Sequence, residues 1–293
     1  MSASYFETFF TGAARAHLER AIELALDEDG RDLTSEALFA PGDILDARIV
    51  AKQSCVAAGL PILDLVLARC AERGSYDLRL FTADGERVAR GSVVATLRGP
   101  AAPLLKAERV LLNFLTHLSG IATLTATYVE RIAGTGARLL DTRKTLPGLR
   151  YPEKYAVRMG GGTNHRVNLE AMLMLKDNHV DRAGSITRAV ATVRAALSPC
   201  PPIEVECRTE AEVREAAACG VDRIMLDNME TSALRSALAL VPEHIETEVS
   251  GNVTLETIRA VAEAGPDFIS VGRITHSAPS ADFSMQIVGV TVP

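Results

Sequence analysis

From Arg138 to the end of the chain one rhythm recurs: a short apolar run, a polar or charged residue, then a helical segment. The runs are ARLLD, AMLMLK, PIEVEC, DRIMLD, HIETEVSG and DFISVG, and segments such as TEAEVREAAACG, TSALRSALALV and TLETIRAVAEAG separate the later ones. From Ile203 onwards the runs are about 20 to 23 residues apart, a spacing that suits βα units joined into a parallel sheet or barrel. Gly220 and Gly265 close two of the helical segments at C-cap positions. Each run ends on chemically capable residues: Asp141 followed by Arg143 and Lys144, then Lys176, Glu206, Asp227, Ser250-Gly251-Asn252 and Ser270-Val271-Gly272. In a (β/α) barrel the carboxyl ends of the strands ring one mouth, and active sites lie there. The pattern predicts an α/β chain in which residues 116–275 form an incomplete TIM-like barrel whose strand ends converge on one pocket. The last two ends are glycine-rich and suit a phosphate.

Residues 1–115 follow a different pattern, that of an α+β sandwich domain. AARAHLERAIELA spaces its apolar residues as a helix does, and DLTSEAL offers Thr34 or Ser35 as an N-cap. Residues 49–58 read as a strand, PILDLVLARCAERG as a helix, and residues 76–98 as short strands around the Asp84-Gly85 turn. Residues 102–131 are helical with a broad apolar face and an expected interruption near Ser119-Gly120. The alternating ADFSMQIVGVTV predicts that residues 276–293 return to the first domain as a strand.

Composition narrows the function classes. With 47% hydrophobic and 23% charged residues the chain reads as globular rather than disordered. No apolar run approaches the ~20 residues of a membrane helix, and the opening segment lacks the basic start of a leader. A net charge of -6 without a basic stripe argues against nucleic acid as partner. The five cysteines show no CxxC pair or Cys/His metal spacing and read as reduced thiols of a cytoplasmic protein.

Against that acidic background, residues 141–179 concentrate Arg143, Lys144, Arg150, Lys154, Arg158, His165, Arg166, Lys176 and His179 around the glycines at 160–162. A basic cluster in an acidic chain targets a small polyanion, and glycines let a ligand approach the backbone. Lys144 and Lys176 suit phosphate as point charges, whereas Arg109, Arg143 and Arg166 offer bidentate forks for carboxylate or phosphate. His165, beside Arg166, is a candidate donor to a carboxylate. Glu206 and Asp227, on neighbouring strand ends, suit Mg²⁺ or developing positive charge on a sugar ring. Glu204 is expected to face away from the mouth.

DTRKTLPGLR, KYAVRMGGGTNHR and LKDNH resemble the quinolinate phosphoribosyltransferase family, the nicotinate-nucleotide pyrophosphorylases. The resemblance extends, in the family's order, through ALDEDGRDLTSEAL, KAERVLLNFLTHLSGIAT, EVEC, LDN, SGNVTLETI and DFISVGRITHS, over roughly residues 20 to 285. It implies transfer of the phosphoribosyl group of phosphoribosyl pyrophosphate to quinolinate, with loss of CO₂, using Mg²⁺. It also implies that Arg143, His165 and Arg166 hold the ring carboxylates, with Arg109 reaching across from the neighbouring subunit of a homodimer or higher oligomer. By the same resemblance Thr142, Lys144 and Lys176 serve substrate anions, and Glu206 and Asp227 face ribose and metal. Ser250-Gly251-Asn252 and Ser270-Val271-Gly272 would cradle phosphate. The catalytic set is then Lys144, Lys176, Glu206 and Asp227. Asn168, Tyr151-Pro152 and Arg273 depart from the family's pattern, and Asn168 is a residue that tolerates positive φ. Three rival readings stand beside this one. Molybdenum-transport-associated paralogues share DTRKT and GGG…HR but lack a lysine where this chain has Lys176. A Schiff-base sugar-phosphate aldolase would use Lys176 as nucleophile. A nucleotide-sensing module would have no need of the acids beside the lysines.

Overall fold

The structure, a computed structural model, describes residues 5–292; residues 1–4, where the reading of the opening segment begins, and Pro293 lie outside the described residues. In chain order the elements are α1 (Tyr5–Phe9), α2 (Gly12–Asp29), α3 (Leu33–Leu38), β1 (Ile44–Ala51), β2 (Cys55–Val56), α4 (Leu60–Cys70), β3 (Asp77–Leu80), β4 (Arg87–Val88), β5 (Val93–Pro100) and α5 (Ala101–Arg131). There follow β6 (Arg138–Leu140), α6 (Arg150–Met159), β7 (Leu173–Leu175), α7 (Asp177–Ala183), α8 (Ile186–Ala196), β8 (Ile203–Cys207), α9 (Glu210–Ala218) and β9 (Arg223–Asp227). The last are α10 (Thr231–Leu238), β10 (Glu246–Ser250), α11 (Ile258–Glu263), β11 (Phe268–Ser270), α12 (Arg273–His276) and β12 (Phe283–Thr291). Two compact units result. The first takes the chain through Ala126, then Thr145–Gly161, then everything from Ile274; the second takes Thr127–Lys144 and Gly162–Arg273. The division drawn from sequence, at residues 115 and 116, differs in leaving α6 and the start of α5's second half with the barrel.

The first unit is built on an antiparallel sheet of order β12-β1-β5-β3, with β2 and β4 paired separately. β1 lies between β12 and β5, and its inward Leu45, Ala47 and Ile49 alternate with less buried neighbours, as a half-covered strand requires. α2 presents Ala14, Leu18 and Ile22, four residues apart, to the interior. The N-cap of α3 is Asp32, whose carboxylate accepts from the Ser35 amide at 3.0 Å; neither Thr34 nor Ser35 holds that position. The strand expected over residues 49–58 is two strands, β1 and β2, separated by a turn.

α5 runs 31 residues without interruption. Gly120 is there because a side chain would overlap the Pro279 carbonyl, and the Ser119 hydroxyl accepts from the Ala58 amide at 3.0 Å. The small residues mark close packing rather than a break. By length and composition α5 could cross a membrane, contrary to the expectation that no run comes near that length, but 61% of its apolar window is buried within the protein. Gly160 repeats the device. It ends α6, where a Cβ would overlap the Ala122 carbonyl and the Thr125 side chain.

The second unit is a six-stranded parallel sheet of order β6-β11-β10-β9-β8-β7, with Thr163 bridged to Leu140 beside β6. β8 and β9 are buried along nearly their whole length, as parallel strands covered on both faces are. Ser185 and Thr209 cap α8 and α9 through their hydroxyls. Gly220 and Gly265 take positive φ just beyond α9 and α11, where most side chains would be strained.

Candidate active site

The carboxyl ends of β6 to β11 surround a cavity of about 460 Å³. Its walls include Thr142, Arg143, Lys144, His165, Arg166, Lys176, Glu206, Asp227, Ser250 and Ser270, so ten of the residues singled out in the sequence meet in one place. Strand ends deliver them because a parallel sheet points every carboxyl terminus the same way.

Asp141, at the end of β6, is buried and accepts from Asn164 Nδ2 at 2.6 Å and from the His165 amide at 2.8 Å. It clamps the 163–165 segment to the barrel. Just beyond it, Thr142 Oγ1 accepts from the Lys144 amide at 3.0 Å, which turns the chain and leaves the Lys144 side chain exposed. Arg143 Nε is buried and has no hydrogen-bond partner among the described residues. The charge of Arg143, acting together with burial, holds the Arg166 guanidinium below its usual range, burial being the larger cause. Arg166 donates to the Met172 carbonyl at 2.8 Å, which fixes its direction. Two neighbouring guanidiniums, one with an unmet buried donor, have the donor chemistry that a carboxylate or phosphate would satisfy.

Beneath them lies a layer the sequence reading missed. His165 Nε2 is 3.0 Å from Glu204 and 3.3 Å from Glu248, and both carboxylates are fully buried. His165 Nδ1 lies 2.6 Å from the Arg166 amide nitrogen, so both ring nitrogens face protein groups. Burial alone would lower the His165 pKa, but the adjacent Glu204 and Glu248 carboxylates outweigh it and raise it to about 9. Burial and the repulsion of Glu248 push Glu204 up; burial opposes ionisation of Glu248 too, but His165 and Ser270 hold it below the usual range. Arg223 closes the network, with Nη1 3.2 Å from Glu248 and Nη2 2.6 Å from Glu246. Glu204 therefore faces the barrel interior. Residues two apart in a strand share a face, so Glu204 and Glu206 point the same way and differ only in depth. The same spacing relates Glu248 to Ser250 on β10, and that parity was the available signal.

At the mouth, Lys176 Nζ meets Glu206 Oε2 at 2.7 Å, with the lysine side chain 47% exposed and the glutamate 12%. Asp227 Oδ2 accepts from Asn228 Nδ2 at 2.8 Å, and Asn228 Oδ1 accepts from Asn252 Nδ2 at 3.0 Å. Asn228 and Asn252 hold φ of 53° and 51°, and a side chain at Gly251 would overlap Asn228. This amide relay fixes the Asp227 carboxylate. Asn228 lines the cavity and was missed as well, although it ends the quoted LDN.

Some expected groups lie elsewhere. Gly251 and Asn252 line an adjoining recess of about 180 Å³. The Val271 amide donates to the Leu140 carbonyl at 3.0 Å, so that N–H is not open to phosphate. Gly272 does not line the main cavity. Gly160–Gly162 do not cradle a ligand there either: the Gly160 and Gly161 amides bond to Ala156 and Arg158 carbonyls at the end of α6. Asn168 uses its side chain to accept the Glu170 and Ala171 amides, and positive φ falls at Asn228 and Asn252 instead. Arg109 is on α5 in the first unit, exposed, and forms no hydrogen bond or ion pair among the described residues.

Family models for the N-terminal and C-terminal domains of quinolinate phosphoribosyl transferase match residues 32–119 and 121–286. The chain is 44% identical over 256 residues to a probable nicotinate-nucleotide pyrophosphorylase [carboxylating] of Bacillus subtilis, covering 87% of this chain and 88% of that one. It is 38% identical over 291 residues to quinolinate phosphoribosyltransferase [decarboxylating] 1 of Nicotiana glauca, covering 92% and 82%. The crystal structure of NadC from Streptococcus pyogenes superposes with a TM-score of 0.89 at 40% identity, covering 96% of this chain and 99% of that one. Human nicotinic acid phosphoribosyltransferase, at 16% identity and a TM-score of 0.57, shares the fold alone.

Proposed function

The chain belongs to the quinolinate phosphoribosyltransferase family, and from that premise we propose how its mouth residues carry out the family's reaction. The enzyme transfers the phosphoribosyl group of phosphoribosyl pyrophosphate to quinolinate, giving nicotinate mononucleotide, pyrophosphate and CO₂ in NAD biosynthesis. One observation supports the residue assignment above all: Arg143, Lys144, Arg166 and Lys176 converge with Glu206 and Asp227 on one cavity. A substrate pair carrying phosphates and two ring carboxylates needs that many cations.

Arg143 and Arg166 bind the quinolinate carboxylates, Arg143 Nε finding there the acceptor it lacks. His165 sits below, with Nδ1 beside the Arg166 amide and Nε2 toward Glu204 and Glu248. Lys144 and Lys176 face the phosphate groups, and the hydroxyls of Thr142, Ser250 and Ser270 with the Gly251 and Asn252 backbone border them. Glu206 and Asp227 offer carboxylate oxygens, the hard donors Mg²⁺ prefers, so this donor set fits that ion. When bound, Mg²⁺ neutralises charge on the departing pyrophosphate. The pyridine nitrogen forms a bond to C1 of the ribose as the C1–oxygen bond to pyrophosphate breaks. Glu206 and Asp227 stabilise the oxocarbenium-like state between them. The ring nitrogen, now positive, draws the electron pair of the C2–carboxylate bond; CO₂ departs, and C2 takes a proton.

The arrangement disfavours the aldolase reading. An exposed lysine paired with a carboxylate lacks the apolar enclosure that nucleophilic lysines use. A homodimer in which Arg109 completes the partner's site accounts for an exposed, unengaged arginine on α5. A cytoplasmic setting accords with five free cysteines, of which burial pushes Cys55 up to about 11 and Cys207 up to about 12.

The test is a mass-resolved assay with quinolinate, phosphoribosyl pyrophosphate and Mg²⁺, with nicotinate in a parallel tube. Nicotinate mononucleotide with equal CO₂ from quinolinate alone is the expected result. An inert quinolinate tube would move the paralogue reading to the front.

A further inference from the structure

Outside the active site the second unit carries an open groove of about 940 Å³ between β7, α7 and α8. Its floor is apolar, with Leu169, Leu173 and Val193 among its residues, and its walls hold Arg182, Arg188 and His179 with no acid in the lining. Arg182 and Arg188 are exposed and have no ion-pair partner among the described residues. Arg188 also stands in the first turn of α8, where the helix dipole disfavours a cation. Arg166 and Met174 line both this groove and the active-site cavity, so the two adjoin.

The first unit shows the opposite misplacement. α2 ends in Asp27, Glu28 and Asp29 with no basic residue in its last turn, so three acids crowd the negative end of the helix dipole. All three are exposed and none has an ion-pair partner among the described residues. One turn earlier Leu24 is 63% exposed. Lys106 of α5 ties this end down: its Nζ donates to the Leu26 carbonyl at 3.1 Å and also to the Gly30 carbonyl. Arg109 follows Lys106 on the same face of α5 at the i+3 position.

We infer that the acidic end of α2 docks in the β7/α7/α8 groove of a second copy of this chain, Leu24 on the apolar floor and Asp27, Glu28 and Asp29 against Arg182 and Arg188. Sequences that oppose local preference on both sides of a contact are relieved together when the sides meet. The negative end of α2 then faces the positive end of α8. The inference rests on the dimer in which Arg109 completes the partner's site, and it explains how that arginine is delivered. The groove adjoins the cavity through Arg166, and Lys106 fixes Arg109 one turn from the docked segment. In a two-fold dimer the contact occurs twice.

Charge reversal on the full-length protein tests this, read by sedimentation velocity and by the quinolinate assay. R182E/R188E and D27K/E28K/D29K are each expected to weaken dimerisation roughly tenfold or more and to reduce activity with it. None of these five residues belongs to the catalytic set. Mixing the two variants sets reversed charges against each other at one contact and wild-type surfaces against each other at the second, so dimer and activity return. Two folded variants that stay fully dimeric, or that fail to recover on mixing, overturn the inference. Where a variant does not fold, the wild-type dimer decides: docking by exposed charges weakens steeply with salt, and a dimer indifferent to salt overturns it. The outcomes separate from the reaction itself. A wild-type dimer built through this contact but inert on quinolinate sinks the activity and keeps the docking; an active dimer untouched by every reversal does the reverse.

Discussion

On β8, Glu204 and Glu206 point the same way from positions two residues apart, yet they live in different chemistry. Glu204 is fully buried beside His165, Glu248 and the Arg223 network, in a layer whose charged groups lie within ion-pair distance of one another. Glu206, one layer higher, touches Lys176 and lines the open cavity with Asp227. The lower layer has every reason to be rigid, because a charge stripped of its partner there is stranded away from water. The upper layer can exchange partners with a ligand, because solvent and substrate reach it. Depth along one strand, not residue type, separates an acid held in a buried network from one that lines an open cavity.

The sharpest way to break this comparison is Glu248→Ala, which leaves His165 and Arg223 short of a buried counter-charge. It should destabilise by about 3–5 kcal/mol and lower Tm by roughly 10 °C; calorimetry showing no change would mean the lower layer is not ionic. Glu206→Gln should do the converse, reducing kcat by about 10²–10³ while Tm moves by only ~2 °C, since it removes charge stabilisation from the mouth alone. Steady-state rates and a melting curve on one preparation decide it, and wild-type turnover would end its catalytic assignment.

A pH series sharpens the lower layer next. The folded-state pKa of His165 is raised to about 9 by Glu204 and Glu248 against the opposing effect of burial. A raised histidine contributes its stability fully below its unfolded value of about 6.5 and loses it as pH climbs through about 9. Urea midpoints should therefore fall across that window in the wild type and flatten in His165→Asn; parallel profiles would refute the charged imidazole. The smallest effect belongs to Glu246, the rim partner of Arg223 with a side chain 49% exposed. Glu246→Gln should cost less than about 1 kcal/mol, measurable by denaturant titration.

The barrel was legible because parallel strands write themselves as short apolar runs at regular intervals, each stopping at a polar or charged residue. Local spacing anticipated that Lys176, Glu206 and Asp227 would line one cavity. What stayed hidden depends on partners distant along the chain. Glu248 and Arg223 acquire meaning only when β8, β9 and β10 lie side by side. The glycines at 120 and 160 looked like a helix break and a ligand cradle, yet both serve close packing within the first unit, against Pro279 and Ala122. A sequence shows that a side chain is missing but not what fills its space. Asn228 was hidden for a related reason, its left-handed backbone being imposed by Asn252 and Gly251 from the next strand end.

The path of the chain has one further consequence. The backbone passes from one unit to the other at residues 126, 144, 161 and 273, and α5 continues through the first of these passages without a break. A gene fragment cut at the family boundary near residue 120 would start in the middle of that helix. Its counterpart would lose β12 and leave β1 as a bare edge. The two halves are thus cut as one object: a simple fusion of either to another protein would break α5 or leave β1 unpaired.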